Sequence, residues 1–294
     1  MTDRIEGLWV ALATPLGADG AIDTAEMARH ARALLAEGCD GIVLFGTTGE
    51  GTSFAASERI AAAEALLRSG IAPGRLALAT GCPAITDTVS LTRAARAIGL
   101  THALMLPPYF YRDARDEGIA DAFSAILDRL PDPGLRVTLY HIPQTSGVAV
   151  APAVASTLRR RFGSVIAGVN DSSGDFTQFL AFRAAVPELS VLVGNEPDIA
   201  RALAEGGTGT ICGMANLVPG MVRAMFTDPH AEAPLRAALA SMPAPFLPVM
   251  KSALAARTGN AGWRRMRPPL TEASEAAGHD VAHALAALAS AHPA

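Results

Sequence analysis

Residues 164–186 carry the stretch that decides the fold, SVIAGVNDSSGDFTQFLAFRAAV. Its first part is a short run of apolar and β-branched residues, which is typical of a buried strand. A loop of small and polar residues, NDSSGD, follows this run. The last part, Phe176–Val186, has the apolar pattern of a helix. Strand, loop and helix in this order make one βα unit, and a strand buried on both faces is typical of a parallel sheet.

The same alternation continues along the chain and gives eight units. The predicted strands are Leu8–Ala13, Gly41–Phe45, Arg75–Thr80, His102–Leu106, Arg136–Tyr140, Ser164–Val169, Ser190–Gly194 and Gly209–Gly213. The predicted helices are Asp23–Glu37, Ala55–Ser69, Asp87–Ile98, Glu117–Leu130, Ala153–Arg161, Phe176–Val186, Asp198–Glu205 and Pro219–Phe226. This order predicts an α/β fold, a (β/α)8 TIM barrel, over residues 1–228. Residues 229–294 keep a helical pattern and are predicted to be C-terminal helices packed on the barrel.

Charge and composition exclude several classes of partner. With a net charge of -4 at pH 7 and a pI near 6.0, the chain offers no basic surface for nucleic acid or anionic lipid. No apolar run approaches the length of about 18 residues that a membrane span needs, and the first residues lack the pattern of a signal peptide. We therefore expect a soluble, cytoplasmic protein with no nucleic-acid and no membrane partner.

The sequence gives little support for a metal or a cofactor. The three cysteines lie far apart and show no paired spacing, so neither a disulfide framework nor a zinc site is expected. A divalent cation held by His141, Asp171 and Glu196 is an alternative, because all three lie near predicted strand ends. They come from three loops, however, and lack the paired spacing of known metal motifs. We predict no metal and no cofactor.

Two predicted strand ends carry groups suited to catalysis, and the active site of a (β/α)8 barrel lies at that end of the strands. The loop Gly46-Thr47-Thr48-Gly49-Glu50 is expected to start the next helix. Its hydroxyls, its amides and the helix dipole would then suit a carboxylate. An ordinary glycine-rich turn with a capping threonine is the alternative. Tyr140 ends the fifth strand, where it suits a proton shuttle, although a barrel tyrosine is more often a packing residue.

Several motifs occur in the order in which one enzyme family carries them. They are Glu6-Gly7, Thr14-Pro15, Asp19-Gly20, Gly46–Glu50, Pro107–Tyr111, Tyr140–Pro143, Gly168–Gly174, Gly209–Ile211, Asn216, Pro219 and Arg267–Leu270. The chain resembles the dihydrodipicolinate synthase / N-acetylneuraminate lyase family over essentially its whole length. The resemblance implies a (β/α)8 barrel, usually a homotetramer, that condenses or cleaves pyruvate and an aldehyde through a lysine imine.

The resemblance also implies roles for individual residues. Gly46, Thr47 and Thr48 would bind the carboxylate of a 2-oxo acid, and the two threonines would join a hydroxyl relay. Tyr140 would move protons, and Ile211 would offer a backbone contact to the pyruvyl group. These residues, with a small-molecule 2-oxo acid as the ligand, make up the core of the predicted site.

The resemblance places selection of the aldehyde half in the loops after the sixth to eighth strands, which here hold Glu196 and Gly213. Glu196 would accept hydrogen bonds from sugar hydroxyls, or it complements a helix dipole. Thr145 lies where the synthases carry an arginine that grips the second substrate's carboxylate. This difference argues against a true dihydrodipicolinate synthase, and the surrounding segment is closer to the sugar-acid lyases.

Two further differences concern the chemistry itself. Asn170 stands where the family carries its imine-forming lysine. Phe110 stands where the synthases lend a relay tyrosine across a subunit interface, although Tyr109 and Tyr111 flank it. The only lysine, Lys251, lies in a helical segment beyond the eighth unit. Nothing in that segment indicates a desolvated amine, so we predict that Lys251 is not catalytic.

An asparagine amide cannot form the imine, because its nitrogen lone pair is delocalised into the carbonyl. The amide can still hydrogen-bond the keto oxygen of a 2-oxo acid. Three hypotheses remain open. The protein is a lyase-family enzyme that uses non-covalent acid–base chemistry, or a catalytically silent homologue that binds 2-oxo acids, or an ordinary pyruvate aldolase in which lysine was replaced by Asn170 through engineering. The retained Thr47, Thr48 and Tyr140 favour the first.

Overall fold

The computed structural model describes residues 4–228 and 230–291. The strands are β1 (Gly7–Ala11), β2 (Gly41–Leu44), β3 (Leu76–Ala79), β4 (His102–Met105), β5 (Arg136–His141), β6 (Ile166–Asp171), β7 (Ser190–Val193) and β8 (Gly209–Cys212). They form one closed barrel in chain order, which confirms the predicted (β/α)8 fold. In the described part of the chain, no helix is both long and apolar enough to cross a membrane.

Helices follow the strands and continue beyond the barrel. They are α1 (Thr24–Ala36), α2 (Ala56–Arg68), α3 (Ile85–Ala97), α4 (Asp116–Leu127), α5 (Pro143–Ser146), α6 (Pro152–Phe162), α7 (Phe176–Ala185), α8 (Ile199–Ala204), α9 (Pro219–Ala224), α10 (Glu232–Ala240), α11 (Phe246–Thr258) and α12 (Glu275–Ala291). The last three make up the predicted C-terminal helical extension. Residue 229, where that extension is predicted to begin, lies outside the described residues, and the domain boundary stays a prediction.

Strand ends differ from the predicted ends by a residue or two, and the difference matters at β6. The sequence pattern ended this strand at Val169, whereas the strand extends to Asp171. Backbone pairing continues here because Asn170 lies opposite Tyr140 of β5 and opposite Leu192 of β7. Asn170 is therefore held by the sheet and not by a loop.

One compact unit comprises the described residues up to Trp9 together with Ala72–Cys212. Strands β3 to β8 pair in parallel within it. Packing is close at Gly168, where a Cβ atom would lie 2.7 Å from the carbonyl oxygen of Ser190. Since side chains alternate between the two faces of a strand, Gly168 and Asn170 share one face of β6.

The other compact unit comprises Val10–Ile71 and the described residues from Gly213 onward. It contains β2, α1, α2 and helices α9 to α12. Helix α12 packs tightly on α11, since a Cβ atom at Gly278 would overlap the backbone of Ser252. The C-terminal helices therefore share a compact unit with the second βα unit of the barrel.

A buried polar cluster joins α1 to the C-terminal segment in this second unit. His30 Nε2 lies 3.3 Å from Asn216 Oδ1, and the His30 ring packs edge-on against Trp263, with ring centroids 4.8 Å apart. The indole nitrogen of Trp263 donates to Glu26 Oε1 at 2.5 Å. Burial lowers the pKa of His30 to about 4, and the positive charge of Arg257 acts in the same direction. His30 is therefore neutral in the folded protein at pH 7.

The lowered pKa of His30 predicts a loss of stability in acid. Between about pH 6.5 and about pH 4 the unfolded chain binds a proton that the folded chain does not, so the free energy of unfolding falls as the pH falls. Protonation of His30 in the unfolded chain should lower the free energy of unfolding by about 2 kcal/mol between about pH 7.5 and about pH 5. Denaturant unfolding of the His30→Gln variant should show a pH dependence weaker by that amount. The exposed His230→Gln is the control, and an unchanged pH dependence in His30→Gln would contradict the prediction.

Candidate active site

The end of β6 carries Asn170, whose side chain is buried and 1% exposed. Its Nδ2 donates a hydrogen bond to Ser172 Oγ at 3.3 Å. Its Oδ1 is buried and has no hydrogen-bond partner among the described residues. A buried acceptor without a donor destabilises a fold by about 1–3 kcal/mol. This oxygen therefore does not stabilise the folded state.

Ser172 orients the Asn170 amide, and the sequence analysis did not identify it. The Ser172 N–H donates to the His141 carbonyl at 2.8 Å, and the Ser172 carbonyl accepts from Gln144 Nε2 at 2.6 Å. A Cβ atom at Gly194 would overlap Ser172 Oγ, so Gly194 leaves the space that this serine needs. The only sequence signal is a loop rich in small residues, which does not single out one serine.

Tyr140 is buried near the end of β5 and lies opposite Asn170 in the parallel register. His141 and Asp171 form the next opposed pair. Because successive side chains point to opposite faces of a sheet, Tyr140 and Asn170 share one face, whereas His141 and Asp171 share the other. The first unit thus brings two of the predicted catalytic residues together.

His141 and Asp171 form a buried pair on that second face. His141 Nδ1 accepts a hydrogen bond from the Val150 N–H at 3.1 Å, and His141 Nε2 lies 4.0 Å from Asp171 Oδ1. Burial lowers the pKa of His141 and raises the pKa of Asp171. Both shifts favour the uncharged forms, so the pair is a poor source of charge for a ligand. The His141 ring also packs against Phe182, at a centroid distance of 5.4 Å.

The remaining predicted residues of the first unit lie on β8 and after β7. Ile211 is buried within β8. Glu196 is partly exposed and begins a short 3-10 helix that precedes α8, so contact with a ligand and interaction with a helix dipole both stay open for it. Across residues 4–228 and 230–291, no group of three or more His, Cys, Asp or Glu side chains could hold a metal ion.

The predicted carboxylate loop, Gly46–Glu50, forms a tight turn in the second unit. The Glu50 N–H donates to the Thr47 carbonyl, and the Gly51 N–H donates to the Gly46 carbonyl, both at 3.1 Å. Helix α2 begins only at Ala56, after an intervening 3-10 turn. The prediction that this loop starts the next helix is therefore wrong. The alternative of a glycine-rich turn agrees with the backbone, but the residues at the N-cap positions are Glu50 and Ala55 and not a threonine. The left-handed φ of 55° at Glu50 takes the backbone off a helical path.

Gly213, the residue that follows β8, approaches this loop within the second unit. A Cβ atom at Gly213 would lie 3.2 Å from Thr48 Oγ1 and 3.0 Å from the Phe246 ring of α11. The lack of a side chain at Gly213 therefore allows the Thr48 hydroxyl and the Phe246 ring to lie close to its backbone. Two of the predicted substrate-binding residues, Thr48 and Gly213, are neighbours.

Lys251 lies on α11 and is 0% exposed. Its ammonium forms an ion pair with Glu50 and donates to the Arg265 carbonyl at 2.6 Å. Burial lowers the pKa of Lys251, and the Glu50 carboxylate acts in the opposite direction. The expectation that this lysine is not desolvated is wrong, because its side chain is fully buried where it meets Glu50 and the Arg265 carbonyl. Its ammonium is engaged by Glu50.

An exposed aromatic segment follows β4. Phe110 and Tyr111 are 77% and 75% exposed, and their rings contact each other edge to face at a centroid distance of 5.5 Å. Phe110 has a φ of 99°, which is uncommon for a residue with a Cβ atom. Tyr109, which precedes the pair, is half-buried. The segment therefore exposes two large aromatic side chains to solvent.

The unpaired oxygen of Asn170 predicts an unusual response to substitution. Asn170→Leu keeps the branching and the number of heavy atoms and removes the unpaired acceptor, so the free energy of unfolding should stay unchanged or rise by about 1–2 kcal/mol. Asn216→Leu is the matched control, because Asn216 is buried and bonds Ala13, Ala11 and Gly213. That change should destabilise the protein by about 3 kcal/mol or more. Denaturant unfolding checks both, and a large loss in Asn170→Leu would contradict the prediction.

Comparison with known proteins supports the resemblance given by the motifs. Residues 4–288 match the dihydrodipicolinate synthetase family. An uncharacterised DapA-like lyase of Chloroflexus aurantiacus is 35% identical over 241 residues, covering 81% of this chain and 79% of that protein. A 4-hydroxy-tetrahydrodipicolinate synthase of a Synechococcus strain is 34% identical over 220 residues, covering 74% of this chain and 71% of that protein.

Solved structures agree with this assignment. The crystal structure of dihydrodipicolinate synthase from Agrobacterium tumefaciens is similar to this one with a TM-score of 0.90 and 32% sequence identity. The similarity covers 97% of this chain and 99% of that chain. The barrel, the motif order and these comparisons agree over nearly the whole sequence. The chain therefore belongs to the dihydrodipicolinate synthetase family.

Proposed function

We propose that this protein acts on a 2-oxo acid of the pyruvate or 2-keto-3-deoxy sugar-acid type by non-covalent acid–base chemistry. The observation that carries the proposal is the end of β6, where a buried amide lies on the same sheet face as Tyr140 and no amine is present. By resemblance, Asn170 occupies the position of the imine-forming lysine. An amide nitrogen is not a nucleophile, so the covalent route is closed there.

The only lysine does not replace the missing amine. An amine attacks a carbonyl only as the free base with its lone pair accessible. Lys251 has no exposed surface, and its nitrogen is held by Glu50 and by the carbonyl of Arg265. A ligand has no access to an atom buried in this way. The chemistry therefore proceeds without an imine.

In this proposal the Gly46–Glu50 turn binds the carboxylate of the substrate. Thr47 and Thr48 supply hydroxyl donors, Gly46 lets the backbone turn, and Ile211 offers a backbone contact to the acyl group. The support is the family's motif order together with the general rule that ligands bind at the carboxyl ends of barrel strands. Gly213 and Glu196, which follow β8 and β7, then contact the rest of the substrate.

The reaction class follows from what an amide can do. One Asn170 N–H bonds Ser172, which leaves the other to bond the keto oxygen or a developing enolate. A donor of this kind lowers a barrier by about 3 kcal/mol, far less than a covalent iminium provides. Hydration, dehydration or slow aldol cleavage fits this limited stabilisation, with Tyr140 carrying the proton. The synthase reaction is disfavoured, because Thr145 replaces the arginine expected in a synthase.

The proposal predicts binding of pyruvate without covalent capture. Calorimetry should detect pyruvate binding, and treatment with borohydride should leave the mass of the chain unchanged. Asn170→Lys introduces the amine. Borohydride should reduce the imine that this lysine forms with pyruvate, which gives a stable adduct at residue 170. Asn170→Asp, which changes the same position without adding an amine, is the control and should give none. A covalent adduct on Lys251 in the unmodified protein would contradict the prediction.

A measurement of turnover distinguishes an enzyme from a catalytically silent homologue that only binds 2-oxo acids. A screen of 2-oxo-3-deoxy sugar acids should find a substrate, and Tyr140→Phe should lower kcat by about 100-fold or more if the hydroxyl moves a proton. Binding of pyruvate with no turnover of any tested acid would favour the silent homologue. Robust aldolase activity in Asn170→Lys would favour an ordinary aldolase whose lysine has been replaced.

We also propose that the protein is a homo-oligomer, a tetramer by family resemblance, and that Tyr109, Phe110 and Tyr111 contribute to the interface or to a relay across it. The support is the pair of exposed rings, since contiguous exposed apolar surface commonly marks an interaction site. In the synthases the equivalent of Phe110 is a relay tyrosine. Phenylalanine keeps the ring of that residue but cannot pass a proton.

The exposed rings predict a change of assembly on substitution. Replacing both Phe110 and Tyr111 by aspartate should shift sedimentation toward smaller species, because two charges would be buried at the interface. Leu180→Asp, at another exposed apolar side chain, is the control and should leave assembly unchanged. An unaltered sedimentation profile in the double variant would rule this segment out as an interface.

A further inference from the structure

The chain contains a single lysine. Lys251 is the only lysine, and the other 23 basic residues are arginines. A bias that strong would replace an ordinary surface lysine by arginine at little cost, since both carry the same charge. Lys251 is instead fully buried. A compact ammonium suits this site, whereas the planar five-donor guanidinium of arginine is larger and needs more partners.

The partners of Lys251 explain why a positive charge is needed there. Glu50 is buried, and its Oε1 pairs with the ammonium, whereas its Oε2 has no partner among the described residues. The other charged groups that face this pair are Arg267 and Glu272. Arg267 is bound to both oxygens of Glu58, at 3.0 and 2.5 Å. Lys251 is therefore the direct counter-ion of Glu50.

Glu50 belongs to the same turn as the two threonines. Its N–H donates to the Thr47 carbonyl, and this hydrogen bond brings the two Cα atoms to within about 7 Å. A carboxylate without a counter-ion in this turn would repel an anionic ligand bound to the same turn, and burial strengthens the repulsion because the local dielectric is low. A neutralised Glu50 removes this repulsion.

We propose that Lys251 is a positioning residue that neutralises Glu50 and holds the Gly46–Gly51 turn in the form that accepts a carboxylate. The C-terminal helix α11 thereby supports the ligand-binding loop from behind. Phe246, also on α11, lies against Gly213, and Gly213 in turn lies close to Thr48 Oγ1 of the same turn. The inference rests on the proposed function in one respect, namely that this turn binds the carboxylate of a 2-oxo acid.

The test compares Lys251→Met with the double variant Lys251→Met/Glu50→Gln. The control is Arg257→Met, which removes another cation from the same helix. The Arg257 guanidinium donates to the carbonyls of Leu217 and Asn216 and not to the turn. Calorimetry measures affinity for pyruvate and for its uncharged analogue pyruvamide. Hydrogen exchange of the peptide covering residues 46–51 measures the turn without any ligand. In the double variant the pair is neutral, so folding does not depend on an unpaired buried charge.

Lys251→Met should weaken pyruvate binding about tenfold more than pyruvamide binding, and it should raise exchange at the Glu50 and Gly51 amides. The added Glu50→Gln should return pyruvate affinity to within about threefold of the original value. Equal losses for the two ligands, or no loss of either, would overturn the inference. If the unmodified protein binds neither ligand, the proposed function fails, and unchanged exchange in Lys251→Met would separately reject the role in holding the turn.

Discussion

The parallel pairing of β5 with β6 is the constraint on which the rest of the site depends. It sets Tyr140 opposite Asn170 and His141 opposite Asp171. A register shift of one residue would exchange the two faces, since side chains alternate along a strand. The pairing therefore decides which groups share the sheet face of Asn170 and which are buried against Phe182 in the helical layer.

Sequence patterns were sufficient for the barrel, and they also indicated that Tyr140 and Asn170 lie at neighbouring strand ends. Eight apolar runs alternating with helices predicted the strand order, because a parallel sheet buries both faces of each strand. The exact end of β6 was missed, since Asn170 and Asp171 are polar and resemble loop residues, although the neighbouring strands hold them by backbone bonds. Glycine and threonine in Gly46–Glu50 suit both a helix start and a tight turn, and only the backbone angles distinguish the two.

Other features depend on distant contacts that no local pattern encodes. Ser172 orients the Asn170 amide because Gln144 and Gly194 fix its position, and neither is near it in sequence. The burial of Lys251 depends on Glu50, some 200 residues earlier in the chain. Both cases involve buried polar groups with an unpaired oxygen nearby, Asn170 Oδ1 and Glu50 Oε2. Such atoms reduce stability and are typical of sites kept for function.

The solitary buried lysine also changes how the protein responds to amine-directed reagents. Acylating or methylating agents that act on lysine find no accessible side-chain target on the folded molecule, because arginine resists them and Lys251 is enclosed. Opening of the segment around α11 would expose one such target and no second one. A single mass increment at residue 251 thus acts as an intrinsic reporter of that opening, without any label or added chromophore.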